Sequence, residues 1–99
     1  MITRFVKLTF REDKVADFVD IFESGKSTIR RFEGCHHLEL LQDVKNPTVF
    51  FTFSIWESEA HLDTYRHSDF FASTWTKTKA LFAKKPEAWS LDQRSKEEI

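Results

Sequence analysis

The stretch TVFFTFSIW at 48–56 constrains this chain more than any other. Rich in β-branched and aromatic residues, it lies between the turn-forming VKNP at 44–47 and the helix-capping Ser58, and it reads as a strand. Alternate residues of a strand face opposite sides. Val49, Phe51, Phe53 and Ile55 therefore share one side, while Phe50 and Trp56 flank Thr52 and Ser54 on the other. Both sides are apolar, so both need cover. A sheet with helices on one face alone leaves the other apolar face bare, and a bare patch of that kind marks an interface.

The remaining segments supply those helices. Residues 2–10, ITRFVKLTF, alternate with a period of two and form a first strand. Over 12–32 the apolar residues Val15, Phe18, Val19, Phe22, Ile29 and Phe32 keep to one helical stripe. Gly25 within that run predicts a kink or break near Ser24–Lys26, and Gly34 stops the helix. A second strand at 35–43 pairs with the third as a hairpin. Ser58 caps a short helix through His67, Ser68 caps another whose apolar stripe runs from Phe70 to Phe82, and Pro86 ends it. A short strand closes the fold at 88–92. The order β-α-β-β-α-β predicts an α+β, ferredoxin-like domain with a four-stranded antiparallel sheet in the order 4-1-3-2. One domain over 1–93 is expected, with 94–99 as a charged tail.

Eleven of the fifteen aromatic residues are Phe, more than one small core readily absorbs, which again points to a cavity or a subunit interface. A homodimer is expected. If the Phe50/Trp56 phase faces the partner, a charge there weakens the dimer; if such variants lose only helix packing, the strand lies the other way up. Fifteen Lys+Arg against sixteen Asp+Glu give a net charge of −1 and argue against nucleic acid as a partner. No apolar run is long enough for an export signal or a membrane span, so no membrane partner is expected and the cytoplasm is the expected location. The lone Cys35 has no partner for a disulfide or a metal motif.

FSIWESEAHLDTYRHSDFF, 53–71, resembles the signature stretch of the antibiotic biosynthesis monooxygenase (ABM) superfamily through Trp56, Ser58, Ala60, Leu62, Tyr65, Ser68, Phe70 and Phe71. The likeness extends more loosely from the opening strand through the Glu33-Gly34 turn to the closing strand. It implies a dimeric α+β barrel of two sheets packed face to face, often with the last strand exchanged. Some members are cofactor-independent monooxygenases of quinols and anthrones, in which the substrate carbanion itself reduces O₂. Haem-degrading members use an Asn on the first strand, a Trp on the helix after the third strand and a His on the next helix. Val6, Tyr65 and Trp75 occupy those positions here, which argues against haem.

Several residues are candidates for chemistry. Tyr65 and Trp75 are expected to border one cavity and act as catalytic donors, with Tyr65, if deprotonated, also able to take a proton. Tyr65 follows His61 by four residues, which would place a phenol beside an imidazole as a relay; a Tyr with a buried ring and a wet hydroxyl is the competing account. Phe71, Thr74, Trp75, Thr78 and Phe82 share a stripe and read as a substrate-binding lining or as plain core. Arg4, in phase with Val6, lies near the start of the second strand, where His36 is in phase with Leu38. That pair is a candidate for binding an enolate, or a solvated rim. His36 and His37 point apart, as do His61 and His67, so no metal site is expected. With two Gly in the chain, no phosphate-binding loop serves a flavin or nicotinamide, and no bound cofactor is expected.

The resulting expectation is a cofactor-independent monooxygenase acting on a small aromatic or quinol-type molecule. The rivals are a non-catalytic ligand-binding or stress-associated dimer and an acid–base isomerase of a small carbonyl metabolite. A solidly filled interior would leave no room for a substrate, and O₂ consumption separates the oxygenase from the isomerase.

Overall fold

A computed structural model describes residues 1–98; Ile99, the last residue of the expected tail, lies outside the described residues. The chain runs β1 (Ile2–Thr9), a 3-10 turn (Glu12–Lys14), α1 (Val15–Arg30), β2 (Cys35–Gln42), β3 (Val49–Trp56), α2 (Glu59–Arg66), α3 (Asp69–Lys79) and β4 (Glu87–Leu91). The four strands form one antiparallel sheet in the order β2-β3-β1-β4. This is the α+β, ferredoxin-like arrangement expected from the element order. Residues 92–98 follow β4 without regular structure and are exposed.

Local chemistry sets the element ends. Ser58 Oγ accepts from the His61 N–H at 3.2 Å, and Ser68 Oγ accepts from the Phe71 N–H at 3.1 Å, so both helices begin at a side-chain cap. Between β2 and β3, Asp43 Oδ1 accepts from the backbone N–H groups of Lys45 and Asn46 at 2.8 and 3.0 Å. Gly34 turns the chain from α1 into β2 at φ 85°, where a β-carbon would also strike the His61 ring.

Two expectations change, and an alternative left open is decided. First, α1 runs unbroken through Gly25. The glycine serves helix packing instead: a β-carbon there would stand 3.1 Å from Phe70 Cζ. Second, α3 ends at Lys79, well before Pro86; its cap at Ala80 is followed by a turn that carries Phe82 back to bridge with Phe10. Third, the Phe50/Trp56 phase of β3 faces the helices, with Phe50 3% and Trp56 1% exposed. The bare face is the Phe51/Phe53/Ile55 phase.

The register shows how the covered face is laid out. Leu8 opposes Phe50 near one end of β1 and Ile2 opposes Trp56 at the other. Each end anchors a core cluster: Leu8, Phe10, Phe18, Phe22 and Phe50 make one, and Ile29, Cys35, Trp56 and Leu62 make the second. Between them lie the pairs Arg4–Ser54 and Val6–Thr52, flanked on β4 by Ser90 and Ala88. Short side chains at Val6, Thr52, Ser54 and Ala88, with Arg4 the one long one among them, lie between bulky ends and leave a hollow under the helices, where close packing fails for want of volume.

Candidate active site

That hollow is a cavity of about 370 Å³, within the roughly 300–1,000 Å³ usual for small-molecule sites. Its floor is Arg4, Val6, Thr52 and Ser54, and its roof includes Tyr65 from α2 and Phe71, Thr74, Trp75 and Thr78 from α3. Seven of the sequence candidates thus border one space: Tyr65, Trp75, Arg4, Val6, Phe71, Thr74 and Thr78. The interior is not solidly filled.

Tyr65 sits in an aromatic box. Its ring stacks on Trp56 at 5.0 Å and meets the edges of Phe32 and Phe71 at 5.0 and 5.2 Å. Burial pushes its phenol well above the usual tyrosine range, and nearby Cys35 adds to the effect. The group is therefore a protonated donor at neutral pH, which removes the deprotonated-base role considered from the sequence. No protein atom among the described residues pairs with its hydroxyl, and no fully buried side-chain oxygen or nitrogen there lacks a partner, so the hydroxyl keeps some access to solvent while its residue lines the cavity. The Trp75 indole N–H and the Thr74 hydroxyl satisfy the same two conditions. Thr78 differs, since its hydroxyl donates to the Thr74 carbonyl at 2.9 Å and its donor is spent on the helix.

Arg4 lies half-buried in the floor, with Nη1 donating to Ser90 Oγ at 2.9 Å. Burial lowers its pKa, Arg66 adds to the fall, and Glu59 and Asp63 oppose it. Arg66 also lines the cavity, and its Nη2 donates to Asp63 Oδ1 at 2.6 Å.

His36 does not belong to this space. The β2–β3 register shifts between Cys35 and His37, so Cys35 and Leu38 both stay on the covered side while His36 is carried out of phase. Its Nε2 lies 2.7 Å from Glu57 Oε1 at the surface, and that hydrogen bond, followed by the charge of His36, holds the Glu57 carboxyl below its usual range. The expected His61–Tyr65 relay fails as well. The His61 ring turns to Ser58, with Nδ1 2.8 Å from Oγ, and borders no part of the cavity. Glu33 stands 4.0 Å from the far nitrogen, but it is 94% exposed and Ser58 is the helix cap, so this row is a capping cluster. Among the described residues no three His, Cys, Asp or Glu side chains converge as metal ligands, and no helix is long and apolar enough to cross a membrane.

Sequence reasoning missed Arg66, Thr52 and Ser54. The last two were visible as polar interruptions in an apolar strand phase. Ser54 is buried and accepts from the Trp56 Nε1–H at 3.0 Å, which locks the large indole at the end of the cavity. Arg66 carried no such signal, because its neighbour Arg4 comes from a strand sixty-two positions earlier in the chain.

The fold recurs in solved structures. One is an antibiotic biosynthesis monooxygenase, 16% identical, at a TM-score of 0.90 over 96% of this chain and 100% of that one. A conserved protein from Methanosarcina mazei Go1 is 23% identical, with a TM-score of 0.89 over 95% and 94% of the two chains. Rv0793 from Mycobacterium tuberculosis is 15% identical, with a TM-score of 0.88 over 96% of each. At such identities the likeness establishes the fold alone. No curated protein matches the sequence. The family described as antibiotic biosynthesis monooxygenase matches residues 1–76, a span that takes in β1 through most of α3 and nearly all of the cavity wall, and the chain belongs to that family.

Proposed function

We propose that this chain is a cofactor-independent monooxygenase that takes a small aromatic or quinol-type molecule between its helices and sheet. The observation that carries the proposal is the pairing of an open cavity with Tyr65, a lining phenol whose burial raises its pKa and favours the protonated form. In its keto form a phenolic substrate carries an acidic CH₂. Loss of one proton gives an enolate, whose developing charge the Tyr65 O–H and Trp75 N–H are positioned to receive. One electron passes from the carbanion to O₂, the radicals join in a C–O bond, and loss of the second C–H proton with O–O cleavage yields a carbonyl and water. Overall, CH₂ and O₂ become C=O and H₂O. Glu87 falls in the phase of Lys7, on the other face of the sheet. Glu87 still borders the cavity, at its β4 edge; the first proton passes to solvent at the cavity mouth, and the protein acts by stabilising the anion.

The active form is a homodimer joined through the bare sheet face. Phe5 and Phe53 stack there at 4.9 Å, and Trp89 and Leu91 of β4 are 42% and 46% exposed. A partner sheet supplies the cover that the helices give the other side. Its place is the cytoplasm, where the lone Cys35 stays reduced.

The test is turnover of anthrone and of naphthohydroquinone under ¹⁸O₂. One labelled oxygen in the product, with O₂ consumed, is the expected result. A product formed at the same rate without O₂ would make the chain an isomerase, and tight binding with no protein-dependent turnover would make it a carrier.

A further inference from the structure

We propose that the molecule received by this cavity is an organic carboxylate, an aromatic acid whose carboxyl group is gripped by Arg4 with Arg66 beside it at the wall. The inference rests on the reading of the cavity as the substrate site and narrows its ligand.

Arg4 occupies an unusual place. It projects from the middle of β1 onto the helix-covered face, between Ser54 and Ser90 on the neighbouring strands and with apolar Val6 next in phase. A guanidinium in such a setting ordinarily has a carboxylate partner, because burying a charge is costly unless it is paired. Among the described residues no carboxylate lies within 4.0 Å of Arg4; its one side-chain hydrogen bond is to the neutral Ser90 hydroxyl. The remaining N–H donors of its planar fork match the two oxygens of a carboxylate.

A second cation stands close by. Arg66 borders the same cavity, and after burial its charge is the next cause that lowers the Arg4 pKa. Two acids oppose them, Asp63 bonded to Arg66 and Glu59 near Arg4, but neither lines the cavity. Glu87 of β4 also borders the space, but it pairs with Lys7 in the phase of the other sheet face, so the charged residues of the covered face that line the cavity are the two arginines. An anion entering it relieves the repulsion and completes the hydrogen bonding of Arg4. A neutral quinone offers only single oxygens, already matched by Tyr65 and Trp75. The aromatic walls hold the rest of the molecule, so the ligand combines a flat apolar body with one acidic end.

The experiment compares 2-naphthoate, its neutral isostere 2-naphthamide, and 2-naphthyl phosphate on the whole protein, with binding read from tryptophan fluorescence and confirmed by calorimetry. Naphthoate should bind about tenfold or more tighter than naphthamide, as a charge-assisted bidentate contact allows. Arg4→Gln should abolish that preference while leaving naphthamide affinity within about twofold, and Arg4→Lys should restore part of it, since the charge returns without the fork. Equal binding of naphthoate and naphthamide to the unmodified protein overturns the inference and leaves the cavity's role intact. A preference for naphthyl phosphate over naphthoate, or an Arg4→Gln variant that still favours naphthoate, overturns it in the same way. Failure of all three probes to bind overturns the substrate-site reading and this inference with it.

Discussion

The two faces of the sheet are built from the same strands, residue by residue in alternation, and they solve opposite problems. On the covered face Leu8, Phe50 and Trp56 fill the two ends and Val6, Thr52 and Ser54 leave the middle open, so the surface is concave. On the bare face the middle is the fullest part: Phe5 stacks on Phe53, Phe51 and Ile55 flank them, and no helix lies above. Side-chain volume peaks at the ends on one side and at the centre on the other. The first profile encloses a small molecule; the second meets another broad surface.

Four variants bear on that contrast. The largest effect should come from Trp56→Ala, which empties a site 1% exposed and strands Ser54. A loss of about 3–5 kcal/mol in urea unfolding is expected, and a loss under about 1 kcal/mol would mean that the cluster has slack. Next, Tyr65→Phe should lower kcat about 10²-fold on a competent substrate with little change in stability; undiminished turnover would reduce Tyr65 to a packing residue. The same variant has a pH signature. Burial raises the Tyr65 pKa in the folded state, so the unfolded chain releases this proton first, near the ordinary value of about 10. Folding stability therefore declines as pH climbs above that value, and Tyr65→Phe should decline less.

On the bare face, Phe53→Asp should weaken self-association by about 2 kcal/mol or more, as a central aromatic anchor does, and leave the cavity's ligand binding measurable. A monomer in the unmodified protein at micromolar concentration, seen by light scattering, would dispose of the interface altogether. The smallest effect is expected from Ser68→Ala. It removes the acceptor for the Phe71 N–H at the start of α3 and should cost about 1 kcal/mol of stability. Because α3 roofs only the covered face, the dimer dissociation constant should not move; a shift would mean the two faces are coupled.

Periodicity made the elements legible. Alternation in ITRFVKLTF and TVFFTFSIW, and the serines ahead of α2 and α3, are local signals, and local signals are what a sequence displays. What escaped depended on residues far apart in the chain. The shift between Cys35 and His37 is a property of pairing with β3, so phase counting carried His36 into a cavity it does not reach. Trp56 could not be assigned a face from its own strand, since both phases were apolar and only the helices decide between them. Tyr65 and Trp75 were reachable through family likeness, whereas Arg66 acquires its significance from Arg4, which only the folded chain brings near it.

Gly25 works as a shim of zero thickness. The ring tip of Phe70, at the start of α3, stands 3.1 Å from where its first carbon would be, and position 25 itself borders the cavity. Adding a methyl would favour α1 as a helix by about 1 kcal/mol while forcing the Phe70 ring to yield. The height of the ligand chamber and the intrinsic stability of α1 are thereby set against each other at a single hydrogen atom. Enlarging this chamber by mutation would be easiest to begin there, by spreading α1 and α3 above it rather than by carving its floor.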